Sequence, residues 1–196
     1  MNHKLILSIA LLGTSLGASA QSTATTVQRD VNQQERIEQG LKSGALSTSE
    51  AARLEREQSA ISRQQSRALA DGKLTPAEQE RLGAMQDKAS RDIRAAKTNR
   101  VTGDPQSASS QRMQADVQRN INQDKRIEAG VQNASLTNRE VAKLERGQAR
   151  VQGKEARAGR DGHVNAAEQA RVQRSENRQS RHIRNQKHDR HVRNPV

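Results

Sequence analysis

The chain has 196 residues, enough for one or two domains, but only 31% are hydrophobic, against about 45–50% in ordinary globular proteins on a scale that also counts glycine. Cysteine and aromatic residues are absent. That excludes disulfide frames, thiolate nucleophiles, Cys-ligated metal centres, base-stacking platforms and aromatic cages. Lys and Arg number 34 against 22 Asp and Glu, a formal net charge of +12.

Met1 to Ala20 has the layout of a secretory signal peptide. Asn2-His3-Lys4 carries the positive charge, and Leu5 to Leu12 is an apolar run broken only by Ser8. Ala18-Ser19-Ala20 is an A-x-A cleavage site that predicts a mature start at Gln21. The apolar run is too short to cross a bilayer of about 30 Å as a helix. No second hydrophobic span follows, so the expected location is periplasmic or secreted. From residue 21 onward, Leu, Ile and Val total 25 of 176 residues, below the roughly 20% at which disorder becomes a live alternative.

The chain repeats itself at an offset of 90 residues. Val27-Gln28-Arg29 returns as Val117-Gln118-Arg119, Leu54-Glu55-Arg56 as Leu144-Glu145-Arg146, and Asp71-Gly72 as Asp161-Gly162. Between 27–100 and 117–190, 30 of 74 positions are identical, the mark of a tandem duplication. Segment 98–116 is rich in Ser, Gln and Thr and contains Gly103-Asp104-Pro105, a composition suited to a flexible linker. Ala51, Leu54, Gln58, Ile61, Gln65 and Ala68 step by three and four, as do Leu82, Met85 and Ala89. This is helical periodicity, and no stretch alternates at period two. The spacing predicts helices near 27–42, 48–70 and 76–97, and again near 117–132, 138–160 and 166–190. The expected fold is all-α: two tandem three-helix units, 27–97 and 117–190, with the linker between them and a tail at 191–196. A lone unit of about 75 residues would be marginal, so packing of the copies or homo-oligomerisation is expected to help.

One turn motif occurs four times, at Ser43–Glu50, Asp71–Glu78, Asn133–Glu140 and Asp161–Glu168. Thr75-x-x-Glu78 with Pro76 behind the Thr is a capping box. Ser47-x-x-Glu50, Thr137-x-x-Glu140 and Asn165-x-x-Glu168 repeat the box, and Gly72 and Gly162 suit left-handed positions that close the preceding helix.

The same Asp-Gly-x-Leu-Thr-x-x-Glu string resembles the second half of an EF-hand loop, as in secreted bacterial proteins built from degenerate helix–turn–helix units of this kind. The resemblance implies a divalent ion held through Asp71 and Glu78, and through Asp161 and Glu168. In the first half of the loop, Arg67 and Arg157 stand where the family has its first acidic ligand. The turns are therefore read in two ways, as caps or as weak calcium loops. Leu74-Thr75-Pro76-Ala77-Glu78 also resembles the Leu-Thr-x-x-Gln motif of small periplasmic helical chaperones, with Glu in the final place.

Charge is uneven between the copies. Residues 27–100 hold 14 basic against 11 acidic residues, whereas 117–190 hold 17 against 9. Arg171, Arg174, Arg178, Arg181, Arg184, Lys187 and Arg190 recur every third or fourth position. They form a basic helix and tail expected to attract an anionic envelope component or another polyanion in a salt-dependent way. His188 and His191, one helical turn apart, form a candidate pair for a soft divalent metal. No phosphate loop, nucleophile elbow or paired-carboxylate cleft is recognisable, so no catalytic residues and no enzymatic activity are expected. The leading expectation is an exported interaction protein with an anionic partner. The alternatives are metal binding or sensing and a periplasmic chaperone with a protein client. No resident cofactor is expected beyond a weakly held divalent ion.

Overall fold

The computed structural model describes residues 15–188, with side chains from Ser22 onward. Six helices and no strand occur among the described residues: α1 (Ser15–Ser43), α2 (Thr48–Ala68), α3 (Pro76–Thr98), α4 (Ala108–Gln132), α5 (Asn138–Ala158) and α6 (Ala166–Lys187). The all-α expectation holds. Met1 to Thr14 lie outside the described residues, and Ser15 to Ala20 form the first turns of α1. No described helix is long and apolar enough to cross a membrane.

Each repeated turn is a cap. The side chains of Ser47, Thr75, Thr137 and Asn165 accept from the backbone N–H three residues on, and Glu50, Glu78, Glu140 and Glu168 accept in return from the cap backbone. Such a cap is worth about 1 kcal/mol to the helix it opens. Gly72 and Gly162 take φ of +93° and +87°. Gly44 takes +73°, and its counterpart in the second copy is Ala134, which bears a left-handed φ of +59° with a Cβ. Leu46 and Leu136 plug the helix ends in the same manner in both copies. Each backbone N–H donates to Gly40 O or Gly130 O at 2.9 Å. A Cβ on either glycine would sit 2.5 Å from the leucine Cδ1.

The copies do not keep their cores apart. Helix α2 packs chiefly on α5 and α1 on α4, while α3 and α6 cover the helices of their own copies. Ser59 Oγ donates to Ala149 O at 2.7 Å. These two positions are repeat equivalents, so an approximate two-fold axis passes between them. One apolar cluster joins Ile37, Leu41, Leu54 and Ile93 to Met113, Val117, Ile121 and Val172. The other joins Val27, Leu69, Leu74 and Leu82 to Ile127, Leu136, Leu144 and Ile183.

The connection differs from the flexible linker expected over 98–116. Helix α4 begins at Ala108, capped by Ser107, and buries Met113 and Asp116. The remaining 99–107 segment is tied to the first copy. Gly103 N donates to Gly44 O at 2.8 Å, and Asn99 Nδ2 to Glu50 Oε1 at 2.6 Å. Helices α2 and α5 end at Ala68 and Ala158, two residues short of the expected ends.

Candidate anion-binding cleft and the buried acidic layer

On α5 the basic residues Lys143, Arg146, Arg150, Lys154 and Arg157 follow steps of three and four, so they share one side of the helix. On α6, Arg171, Arg174 and Arg178 do the same, with His182 one turn further on. Close packing of the two helices turns these rows toward one cleft. Gly147 permits that approach. Its absent Cβ would lie 1.8 Å from Gln179 Oε1, and Gln179 Nε2 donates to Leu144 O at 2.9 Å across the gap.

The cleft has two adjoining basins. One of about 470 Å³ is lined by Arg171 and Arg174 with Glu168 at its edge. The other, about 680 Å³, is lined by Lys143, Arg146, Arg150 and His182, with Arg63 reaching in from α2. Lys154, Arg157 and Arg178 border both. Among the described residues none of these cations has an ion-pair partner; the salt bridges lie elsewhere on the molecule. Lys154 donates to Ser175 Oγ at 2.9 Å. Desolvation, followed by the field of Arg178, Arg157, Arg174 and Arg150, holds its ammonium below the usual lysine range.

The first copy is an internal control. At the place of Arg178 it has Lys88, which pairs with Asp92 and lies 3.9 Å from Glu57. In the second copy those two acids are His182 and Gly147. Arg150, Lys154 and Arg174 correspond to Ala60, Gln64 and Ala84. The same backbone thus carries fewer cations and two added acids in one copy, and a denser, unpaired cationic cleft in the other.

Of the anion-binding candidates, Arg171, Arg174 and Arg178 line this cleft. Arg181 and Arg184 are exposed on α6 but line neither basin, and Lys187 donates to Arg126 O at 3.3 Å. Arg190 and His191 lie outside the described residues. The α5 cations and Arg63 are cleft residues that the sequence reading missed.

The metal candidates are bonded within their own turns. Asp71 Oδ1 and Asp161 Oδ1 accept from the N–H of Lys73 and His163 at 2.9 and 3.0 Å. Glu78 and Glu168 are the capping acids, each 3.0 Å from a backbone N–H. His188 caps the end of α6. No group of three or more His, Asp or Glu placed to hold a metal occurs among the described residues.

A second electrostatic feature lies inside. Asp30, Glu55, Asp116, Asp124, Glu145, Glu155 and Glu176 are buried between the helices. The acids and amides of the layer change places between copies. Gln65 donates to Asp30 in the first copy, and Asn120, the counterpart of Asp30, donates to Glu155, the counterpart of Gln65, at 2.6 Å in the second. Gln34 donates to Glu55 at 3.1 Å, whereas the second copy sets Asp124 near Glu145.

Across the copies the charge of Glu55 adds to desolvation in raising Glu155. Atoms left without partners in this layer are oxygens, among them Glu55 Oε1, Asp116 Oδ1, Asp124 Oδ2, Glu155 Oε1 and Glu176 Oε1. Burial raises every one of these acids: Asp30 to about 6, Glu55 to about 7, Asp116 to about 7 and Glu176 to about 8. Asp124, Glu145 and Glu155 are pushed well up, by desolvation first and then by one another and the neighbouring acids. Arg119, 3.1 Å from Glu176, opposes the rise from the rim.

Comparison of the chain with protein-family models, curated proteins and solved structures finds no match.

Proposed function

We propose that the chain is an exported, non-enzymatic helical binding protein of the cell envelope, and that the α5–α6 cleft contacts an anionic partner. The observation that carries this reading is the set of unpaired cations converging on one cleft, set against the equivalent face of the first copy, which has fewer cations and pairs Lys88 with acids. Crowding like charges costs folding free energy, and an anion offsets it. Desolvation of Lys154 adds to that cost and to the gain on binding. Export rests on the signal-peptide layout of Met1 to Ala20. The non-enzymatic reading rests on the sequence, in which no phosphate loop, nucleophile elbow or paired-carboxylate cleft is recognisable.

The test is the salt concentration that elutes the protein from a sulfated polysaccharide matrix. Replacing Arg171, Arg174 and Arg178 by Gln should bring elution to much lower salt. Replacing Arg56, Arg67 and Arg81 by Gln removes the same charge from the first copy and should shift it only slightly. Equal shifts would reduce the interaction to net charge and overturn the reading.

A further inference from the structure

Resting on the anion-binding reading, we infer that the cleft takes a linear chain of directly linked phosphates, of the inorganic polyphosphate class, laid along both basins over the α5–α6 seam. The first argument is charge density. From Lys143 to Arg157 the α5 row spans about 21 Å at the helical rise of about 1.5 Å per residue. Over that length five cations from α5, three from α6 and Arg63 face one channel. That is one positive charge per roughly 2–3 Å, denser than the one phosphate per about 3.4 Å along a nucleic acid strand in a duplex. Only an anion charged at every repeat unit, with a single oxygen between units, meets such a row without leaving cations unpaired.

The second argument is what the lining lacks. Ala158 and Val172 are the only apolar residues of one basin, and Ala149, with the glycines, of the other. An acyl chain finds no apolar slot there. Aromatic residues are absent from the chain, so nucleobases have nothing to stack on. The walls are helices packed closely enough for Gln179 to bond the α5 backbone, and closely packed helix axes lie about 8–10 Å apart. Helices in such contact leave an open groove along their seam, and an extended single chain can lie along it.

The third argument is continuity. Lys154, Arg157 and Arg178 belong to both basins, so successive phosphates bind side by side. Arginine dominates the lining, and its planar fork suits bidentate contact with phosphate oxygens.

The experiment measures binding of the chain to end-labelled polyphosphate. It compares a single-stranded oligonucleotide of equal charge and vesicles of phosphatidylglycerol with phosphatidylcholine, each across a salt series. The variant R150A/K154Q/R174A/H182D writes the first copy's residues into the second. These residues are already tolerated at the equivalent backbone positions, and a melt followed by circular dichroism confirms folding. Expected is polyphosphate binding at least tenfold tighter than the oligonucleotide. The variant should lose about a hundredfold, and its salt slope should be shallower by about two, since three cations are gone. An oligonucleotide or vesicle bound as tightly as polyphosphate overturns the inference and leaves the anion-binding reading standing. A variant that binds like the wild type moves the anion off this cleft. No binding to any of the three at low salt overturns both.

Discussion

Raising the pH should destabilise this protein. The perturbation is a shift from pH 4.5 to pH 8.5, and it acts on the acidic layer between the copies. A carboxyl with a raised folded-state pKa binds more protons folded than unfolded. Its contribution to stability is fully present below the unfolded pKa and is lost as pH climbs through the folded one. Asp30 rises from 3.8 to about 6, which alone corresponds to about 3 kcal/mol lost between about pH 4 and pH 6. Glu55 and Asp116, raised to about 7, and Glu176, raised to about 8, extend the loss upward to that range. The contributions do not add, because each ionisation opposes the next. Even so, about 3 kcal/mol is a large part of a typical stability of 5–15 kcal/mol, and for a chain of this size it lowers Tm by about 6–12 °C. Opposing groups are few. Glu50, held down by Asn99 and Ser47 against its own desolvation, and Asp92, held down by Lys88, lose their contributions only in stronger acid. The stability maximum should therefore lie near pH 4 or below. Thermal melts followed at the helical circular-dichroism band every half unit of pH give the curve. A Tm that is flat or rising from pH 4.5 to 8.5 would refute the placement of these acids in the interior.

Four further outcomes are expected. Glu155→Gln gives the second copy the amide that the first has at Gln65; it should raise Tm at pH 8 and flatten the pH curve, with little change at pH 4.5. Ala134→Gly relieves the left-handed φ of +59° and should raise stability by about 1 kcal/mol, read from a urea titration. Gly147→Ala forces a methyl into the place of the Gln179 amide, breaking its bond to Leu144 O, and should cost about 1–3 kcal/mol while weakening anion binding. Adding Ca²⁺ should leave Tm unchanged, because Glu78 and Glu168 are bonded in their caps; a rise would show the turns to be ion sites after all.

Local structure was legible because it rests on local chemistry. The four capping boxes, Pro76, and the left-handed Gly72 and Gly162 each act within one turn of chain, so their residues announce the helix starts directly. The pairing of the copies was less legible, since the surfaces that pair are polar. Gln58 and Gln65 fall on the same face as Leu54 and Ile61 and are as buried as they are. Glu55 and Glu155 give no local sign of burial, because each acid is made tolerable by an amide 21 or 35 residues away. Ser/Gln-rich composition concealed the start of α4, although Met113, Val117 and Ile121 already step by four. In the cleft, Arg171, Arg174 and Arg178 stood out by density along one helix. The α5 row was missed because half of the cleft comes from another helix. Aligning the copies position by position would have exposed it, through Ala60 against Arg150 and Gln64 against Lys154.

The acidic layer and the cleft also bear on each other through charge. The formal net charge of +12 counts every Asp and Glu as ionised. The seven acids of the layer are raised, so in mild acid much of that negative charge is absent and the molecule is more cationic than its composition states. The acids outside the layer sit largely at caps, as Glu78 and Glu168 do, or beside first-copy cations, as Asp87 and Asp92 do. Little is left to neutralise the second copy. Anion affinity should therefore rise as pH falls from 8 to 5, well above the range where surface carboxylates titrate. Glu155→Gln together with Glu176→Gln should remove much of that rise while leaving the cleft cations in place. Affinity that changes equally in wild type and double variant would separate the effect from the buried acids and refute this link.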